Sequence, residues 1–355
     1  MEAKPFEFLQ RLTSTPGVSG AEIPVQQVVA DYARGFGANI RSDFHGNLIL
    51  SVNEESPTRL MFAGHADQIG LIVSYIDETG FVFTQTVGGW DPQQLVGQAV
   101  TIWTKNGSVP GVISRKAIHL LDETERKKVV DPKSLWIDIG ATTREEAQEK
   151  VQIGDTATLQ LGLTRLLNDR VCGPAMDNRT GLWVVVEALR RAMASGNLAI
   201  GIYSAATVQE EIGLRGAQTA AFSINPQVGI AVDVTHATDC PDVDPKQQGN
   251  VSLGGGAVIV RGPNMHPLVS ERLVQLAASN NIAHQVTALG RAAPNDSNAL
   301  QVTRGGVATG LVSVPNRYMH SAVETISLAD LEHCANLLCE FALSIKEANE
   351  FLSSF

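Results

Sequence analysis

Six short apolar runs, at residues 48–52, 59–63, 199–207, 228–232, 257–261 and 309–314, alternate with segments of helical period along this chain. That alternation restricts the fold more than any other feature, because strands buried on both faces need a covering layer on each side. Residues 22–34 place Val25, Val28, Val29 and Tyr32 on one helical face and stop at Gly35. Further helical patterns run from near Asn178 to Met193, over residues 215–222 and 267–280, and from Leu328 to about residue 351. These elements predict an α/β domain with a mostly parallel sheet covered by helices on both faces.

Between residue 69 and about residue 158 the rhythm changes. Asp77-Glu78-Thr79-Gly80 separates apolar runs at 70–76 and 80–86, and Asn106-Gly107 follows another at 100–105. Both are hairpin signals. Residues 135–139 and 156–161 add strands, with a short charged helix at 144–150. The stretch reads as an inserted β-barrel-like domain. The expected division is therefore a discontinuous catalytic domain (residues 1–69 and 164–355) interrupted by a β-rich insertion (residues 70–163). Exposed strand edges on such an insertion would be an association hazard, and pairing between copies would resolve it.

Bulk properties exclude several classes. A net charge of −10 argues against nucleic acid or an anionic membrane surface as the main partner. No run approaches the ~20 apolar residues that span a bilayer. The first residues lack the pattern of a signal peptide, and the four cysteines show no CxxC spacing, which together predict reduced thiols in a cytoplasmic protein. A P-loop, an HExxH and a GxSxG motif are all absent from the sequence.

The residues that suggest chemistry share one setting. His65, Glu210, Glu211, Asp233 and, a few residues further on, His320 follow apolar strands, and ligand sites of open α/β sheets form at that edge. Asp177 instead precedes the helix expected to open at Asn178. Asp67 lies two residues beyond His65, on the same side of an extended chain, where it can orient the imidazole. Glu210 and Glu211, as neighbours on extended chain, would point apart and so take different roles. Two imidazoles and three carboxylates suffice for a pair of ions that share a bridging carboxylate. Mixed ligation of this kind suits Zn²⁺, Co²⁺ or Mn²⁺ better than Ca²⁺ or Mg²⁺. A free carboxylate beside an activated water could act as general base. Each residue also has an ordinary reading, since an Asp before a helix is often only an N-cap and a His after a strand often only a hydrogen-bonded core residue.

Their joint occurrence within five local sequences carries the case further. Gly64-His-Ala-Asp-Gln-Ile-Gly70, Ala175-Met-Asp-Asn-Arg-Thr-Gly181, Thr207-Val-Gln-Glu-Glu-Ile-Gly-Leu-Arg-Gly216, Val232-Asp-Val-Thr-His236 and Val314-Pro-Asn-Arg-Tyr-Met-His-Ser321 resemble the M42 family of metallo-aminopeptidases, the glutamyl and tetrahedral aminopeptidase group. Asn295-Asp-Ser-Asn298, Gly88-Gly89-Trp90-Asp91 and His119-Leu120-Leu121 also fall where that family has related segments. The resemblance implies a dinuclear centre of Zn or Co, with Mn as an alternative. In it Asp177 bridges the ions, His65 and Asp233 complete one site, and Glu211 and His320 complete the other. It further implies Glu210 as base and Asp67 as the partner of His65. The insertion would be a dimerisation domain, and the homo-oligomer would be built from dimers, up to a hollow dodecamer. Substrates would be short peptides with a free N-terminus. Gln68 departs from the Glu common in the family, which implies altered hydrogen bonding or charge nearby rather than loss of metal.

Three other readings compete. Another two-metal amidohydrolase, such as an N-acyl amino acid deacylase or a carboxypeptidase, would share the ligand set. An endoglucanase, a label some relatives have carried, would need two carboxylates flanking a sugar bond and no metal pair. A catalytically silent assembly protein would be expected to have lost at least one of the five ligands or the base.

Overall fold

In the strand Arg59–His65 every residue after the first is buried, as a strand covered on both faces requires. Successive side chains alternate, so Leu60 and Phe62 join one apolar core while Met61 and Ala63 join another on the opposite face. The computed structural model, which describes residues 1–352, sets this strand near the middle of an eight-stranded sheet. The order across the sheet is Asn39–Ser42, Leu48–Val52, Gly201–Thr207, Arg59–His65, Val228–His236, Ala308–Asn316, Ala257–Arg261 and His284–Ala288. The four strands from Gly201–Thr207 to Ala308–Asn316 run parallel. Leu48–Val52 is antiparallel to both of its neighbours, and Ala257–Arg261 is antiparallel to Ala308–Asn316. A connection as short as residues 43–47 allows only a hairpin, since a parallel crossover needs a dozen residues or more.

Helices cover both faces. Ala3–Ser14, Ile23–Arg34, Met176–Ser195, Pro267–Ser279 and Leu328–Ser344 line the larger core, and Arg215–Ile224 and Asp296–Gln301 pack on the other side. Full burial of a side chain such as Leu60 or Phe62 contributes roughly 1.5–3 kcal/mol. No helix among the described residues is long and apolar enough to cross a membrane.

The insertion is a closed six-stranded antiparallel barrel with its own core around Leu71, Val73, Val82, Ile102 and Ile137. Its strands are Gly70–Ile76, Val82–Val87, Ala99–Thr104, Gly107–Ser114, Trp136–Asp138 and Thr156–Leu159. Closure removes the free strand edges, so the edge-based reason for expecting association does not apply. The chain re-enters the α/β part through a small sheet of Thr164–Arg165, Arg170–Cys172 and Thr325–Ser327.

Two other expectations are corrected. The last helix stops at Ser344, because Ile345 is extended and the chain resumes as a 3-10 turn at Ala348–Phe351. There the Glu350 carboxylate accepts from the N–H groups of Lys346 and Glu347 and pairs with Arg272. The strand expected to end at Val232 continues to His236, which places Asp233 within it, opposite Ser313.

Candidate metal centre

At the carboxyl ends of the parallel strands, close packing of backbone on backbone fixes the site's floor. A Cβ on Gly64 would lie 2.8 Å from the Gly181 carbonyl carbon and oxygen, so only glycine lets the strand meet the helix there. His65 follows Gly64 as the last residue of its strand. The helix Met176–Ser195 is non-helical at Asp177 and Asn178. The Asn178 side chain accepts from the N–H of Gly181 at 2.9 Å and donates to the carbonyl of Val232 at 2.7 Å. Asn178 thus performs the capping role that sequence alone would also allow Asp177. The Asp177 carboxylate is left facing the site.

The Asp177 oxygens are shared between the two histidines. Oδ1 lies 3.2 Å from His65 Nε2 and Oδ2 lies 3.2 Å from His320 Nε2. Glu210 Oε2 and Asp233 Oδ1 stand 3.8 and 3.9 Å from His65 Nε2, and Glu211 Oε2 stands 3.5 Å from His320 Nε2. The two glutamates do not continue a straight strand, because Gln209 turns the chain through a φ of 56°. They nevertheless reach different imidazoles. Each histidine is held through its other nitrogen: His65 Nδ1 is 3.1 Å from the Asp67 carbonyl and 3.4 Å from Asp67 Oδ1, and His320 Nδ1 is 2.7 Å from the Gly89 carbonyl. The structure therefore brings together all seven candidate residues. His65, Glu210 and Asp233 form one group with donor atoms within 4.8 Å of one another, and His65, Asp177 and Glu211 form a second. Distance alone makes Glu210 as eligible a ligand as Asp233.

Such crowding of carboxylates raises their proton affinity. Burial, reinforced by Asp233, Asp296 and Asp177, pushes Glu210 up to about 10 against the pull of His65. Burial and the nearby Asp177 charge lift Glu211 and Asp233 to about 8 each. Asp177 goes the other way: burial opposes its charge, but the imidazoles of His320 and His65 hold it well below the usual carboxylate range. For His320, burial is outweighed by Asp177 and Glu211, which raise it to about 9. Buried like charges of this density are stabilised by cations. The donor set fits that need, since Glu211 Oε1 is buried without a hydrogen-bond partner and two imidazole Nε2 atoms face carboxylate oxygens. Trp90 from the barrel and Leu159 line the adjoining cleft together with Asp177 and His320.

Comparison with known proteins agrees with this geometry. The family model described as M42 glutamyl aminopeptidase matches residues 46–337. The chain belongs to the M42 family. A lysyl aminopeptidase of Pyrococcus furiosus is 36% identical over 94% of this chain and 95% of its own length. The TET aminopeptidase structure from the marine sediment archaeon Thaumarchaeota archaeon SCGC AB-539-E09 superposes with a TM-score of 0.92 at 33% identity, covering 96% of each chain. The TET1 peptidase of Pyrococcus horikoshii, described as able to assemble into a tetrahedron or a large octahedral shell, has a TM-score of 0.85 at 32% identity, covering 96% of this chain and all of its own. The chain is accordingly a peptide hydrolase with the aminopeptidase activity of the M42 family, whose members depend on metal.

Several contacts that brace this M42 site are not legible in the local sequences. The Glu324 carboxylate accepts from the backbone N–H groups of both Asp177 and His320. Thr207 donates to Asp296 Oδ2 at 2.6 Å, and Ser19 to Asp67 Oδ2 at 2.6 Å. Asp67 also accepts from the backbone N–H groups of Glu210 and Glu211, at 3.0 and 3.1 Å. One carboxylate thus braces His65 and the turn that carries both glutamates. Gln68 Oε1 accepts from Arg179 Nη2 at 3.1 Å, and burial pulls that guanidinium down to about 9. The neutral amide leaves Arg179 without a carboxylate in hydrogen-bond reach among the described residues, and Gln68 is not in either metal-binding group.

Proposed function

We propose that this chain removes N-terminal residues from short peptides at a centre of two divalent ions, with Glu210 as general base. The observation that carries the reading is Asp177, whose two oxygens stand 3.2 Å from two different imidazoles and so suit a carboxylate shared between two ions. His65 and Asp233 would complete one ion's ligands, and Glu211 and His320 the other's. Zn²⁺ or Co²⁺ fits this mixture of imidazole and carboxylate, with Mn²⁺ as the alternative. When bound, such ions polarise the scissile carbonyl and lower the pKa of a water toward ~7.

The remaining chemistry falls to the chain's own groups. Glu210 Oε2, ionised once bound cations offset the crowding of negative charge around it, would accept the proton of the attacking water and return it to the leaving amine. Asp67 keeps the His65 ring oriented and, through the N–H groups of Glu210 and Glu211, holds the two glutamates in their separate positions. The barrel, residues 70–163, would pair two copies, and dimers would build the larger assembly, as the kinship to a shell-forming peptidase suggests. Four free cysteines support a cytoplasmic setting.

The test is a panel of aminoacyl chromogenic substrates, each with an N-acetylated counterpart, run on metal-stripped protein given Zn²⁺, Co²⁺ or Mn²⁺ separately. Turnover should require both metal and a free α-amine. Full activity in stripped protein would refute the metal mechanism. Equal turnover of acetylated substrates would point to a deacylase.

A further inference from the structure

His320 occupies an irregular loop rather than a strand end, and its side chain is 32% exposed while that of Asp177 is 9% exposed. The loop's neck is closed by paired backbone hydrogen bonds between Arg317 and Thr325, each 3.0 Å. Within it, Tyr318 and His320 both take left-handed backbone conformations, with φ of 64° and 61°. Bulky side chains rarely occupy that region, so the surroundings must hold them there. Glu324 is placed to do so. Its Oε1 accepts the N–H of His320 at 2.8 Å, and its Oε2 accepts the N–H of Asp177 at 3.1 Å. The two donors come from separate parts of the chain, and the carboxylate joining them is only 2% exposed.

We propose that Glu324 is a positioning residue that fixes the spacing between Asp177 and His320, and so builds the half of the centre made by Asp177, Glu211 and His320. The proposal rests on the two-ion reading. The other half has no ligand that Glu324 alone holds, because His65 and Asp233 stand on strands of the central sheet. Asp177 also has a second support, since the side chain of its neighbour Asn178 is bonded to Val232 and Gly181. Apart from Glu324, His320 is fixed among the described residues by the hydrogen bond that the Gly89 carbonyl accepts from its Nδ1. Loss of Glu324 should therefore fall on one ion and spare the other.

The experiment titrates metal-stripped full-length protein with Zn²⁺ by calorimetry, for the wild type, Glu324→Ala and Glu324→Gln, alongside thermal melts of the stripped proteins. The wild type should show two binding steps. Glu324→Ala should leave one step unchanged and weaken the other by roughly 10–100-fold, the usual scale for losing a group that orients a ligand. Glu324→Gln has the same shape but a single carbonyl acceptor, so it should fall between the two, and it carries the test if the alanine variant fails to fold. Two unchanged steps in Glu324→Gln would overturn the proposal, as would equal weakening of both steps together with a lowered melting temperature, which marks a purely structural role. Fewer than two steps in the wild type would instead refute the two-ion reading on which the proposal stands.

Discussion

Gly64→Ala probes how closely the site depends on packing beneath it. The added Cβ would sit 2.8 Å from the carbonyl carbon and oxygen of Gly181 and 2.9 Å from the nitrogen of Leu182. Comfortable contact for such atoms begins near ~3.5 Å. The strand and the helix must therefore separate by about 0.6–0.7 Å, and since the opposing atoms are backbone, no side chain can swing aside. Overpacking of this kind costs about 1–3 kcal/mol. The displacement acts between His65, which follows Gly64, and Asp177, at the start of the helix, whose mutual contact is 3.2 Å. Misplacement by ~1 Å can cost 10²-fold in rate, so a loss of about 10–10² in kcat/KM is expected. Urea denaturation and steady-state kinetics at saturating metal measure the two effects. Gly305→Ala is the control, since a Cβ there meets no atom within 4 Å and its φ is not positive. If Gly64→Ala matched that control in both assays, the packing argument would be wrong.

Three further outcomes follow from the same structure. Phe62→Ala, in a fully buried position of the larger core, should cost about 3–5 kcal/mol in urea denaturation. Thr207→Val deprives the buried Asp296 of its 2.6 Å donor and should destabilise by about 1–3 kcal/mol by the same assay. Glu187 is fully buried and bonded to Arg190, Arg191 and Tyr32. Burial raises its pKa, but Arg190 and Tyr32 outweigh this and hold it below 4.5. A depressed folded-state pKa gives stability that is present above the unfolded value and lost as pH falls through the folded one. Glu187→Gln should thus be less stable than wild type at pH 7, with the gap narrowing below about pH 4.5 in denaturation curves taken at several pH values.

The central strands were legible because burial on both faces demands unbroken apolar runs, as in Arg59–His65 and Gly201–Thr207. The helix Ala3–Ser14 is expected from no motif, yet Phe8, Leu9 and Leu12 form its buried stripe, a periodic signal that a short terminal segment carries weakly. The edge strand His284–Ala288 is half-exposed and mixed in character, so its identity comes from pairing with Ala257–Arg261. The end of the last helix was hidden for a tertiary reason: Lys346, Glu347 and Glu350 are ordinary helix formers, but Glu350 turns to cap the chain and pair with Arg272. At the site, residues on strand ends were readable from the apolar run before them. Glu324 was not, because its importance lies in reaching the backbone of Asp177, far away in sequence. The Asp177 carboxylate faces the site because Asn178 takes over the cap, and that division between adjacent residues emerges only from the φ and ψ angles of the turn.

The assignment of separate roles to adjacent glutamates is the most direct point of attack on the whole account. Glu210→Gln and Glu211→Gln should be purified side by side, and each measured for bound metal per subunit and for kcat at saturating metal. Glu210→Gln keeps its size but cannot accept a proton, so metal content should persist while kcat falls by about 10²–10⁴. Glu211→Gln should lower the metal count itself. Loss of metal from Glu210→Gln, or near-normal kcat in it, would contradict the account.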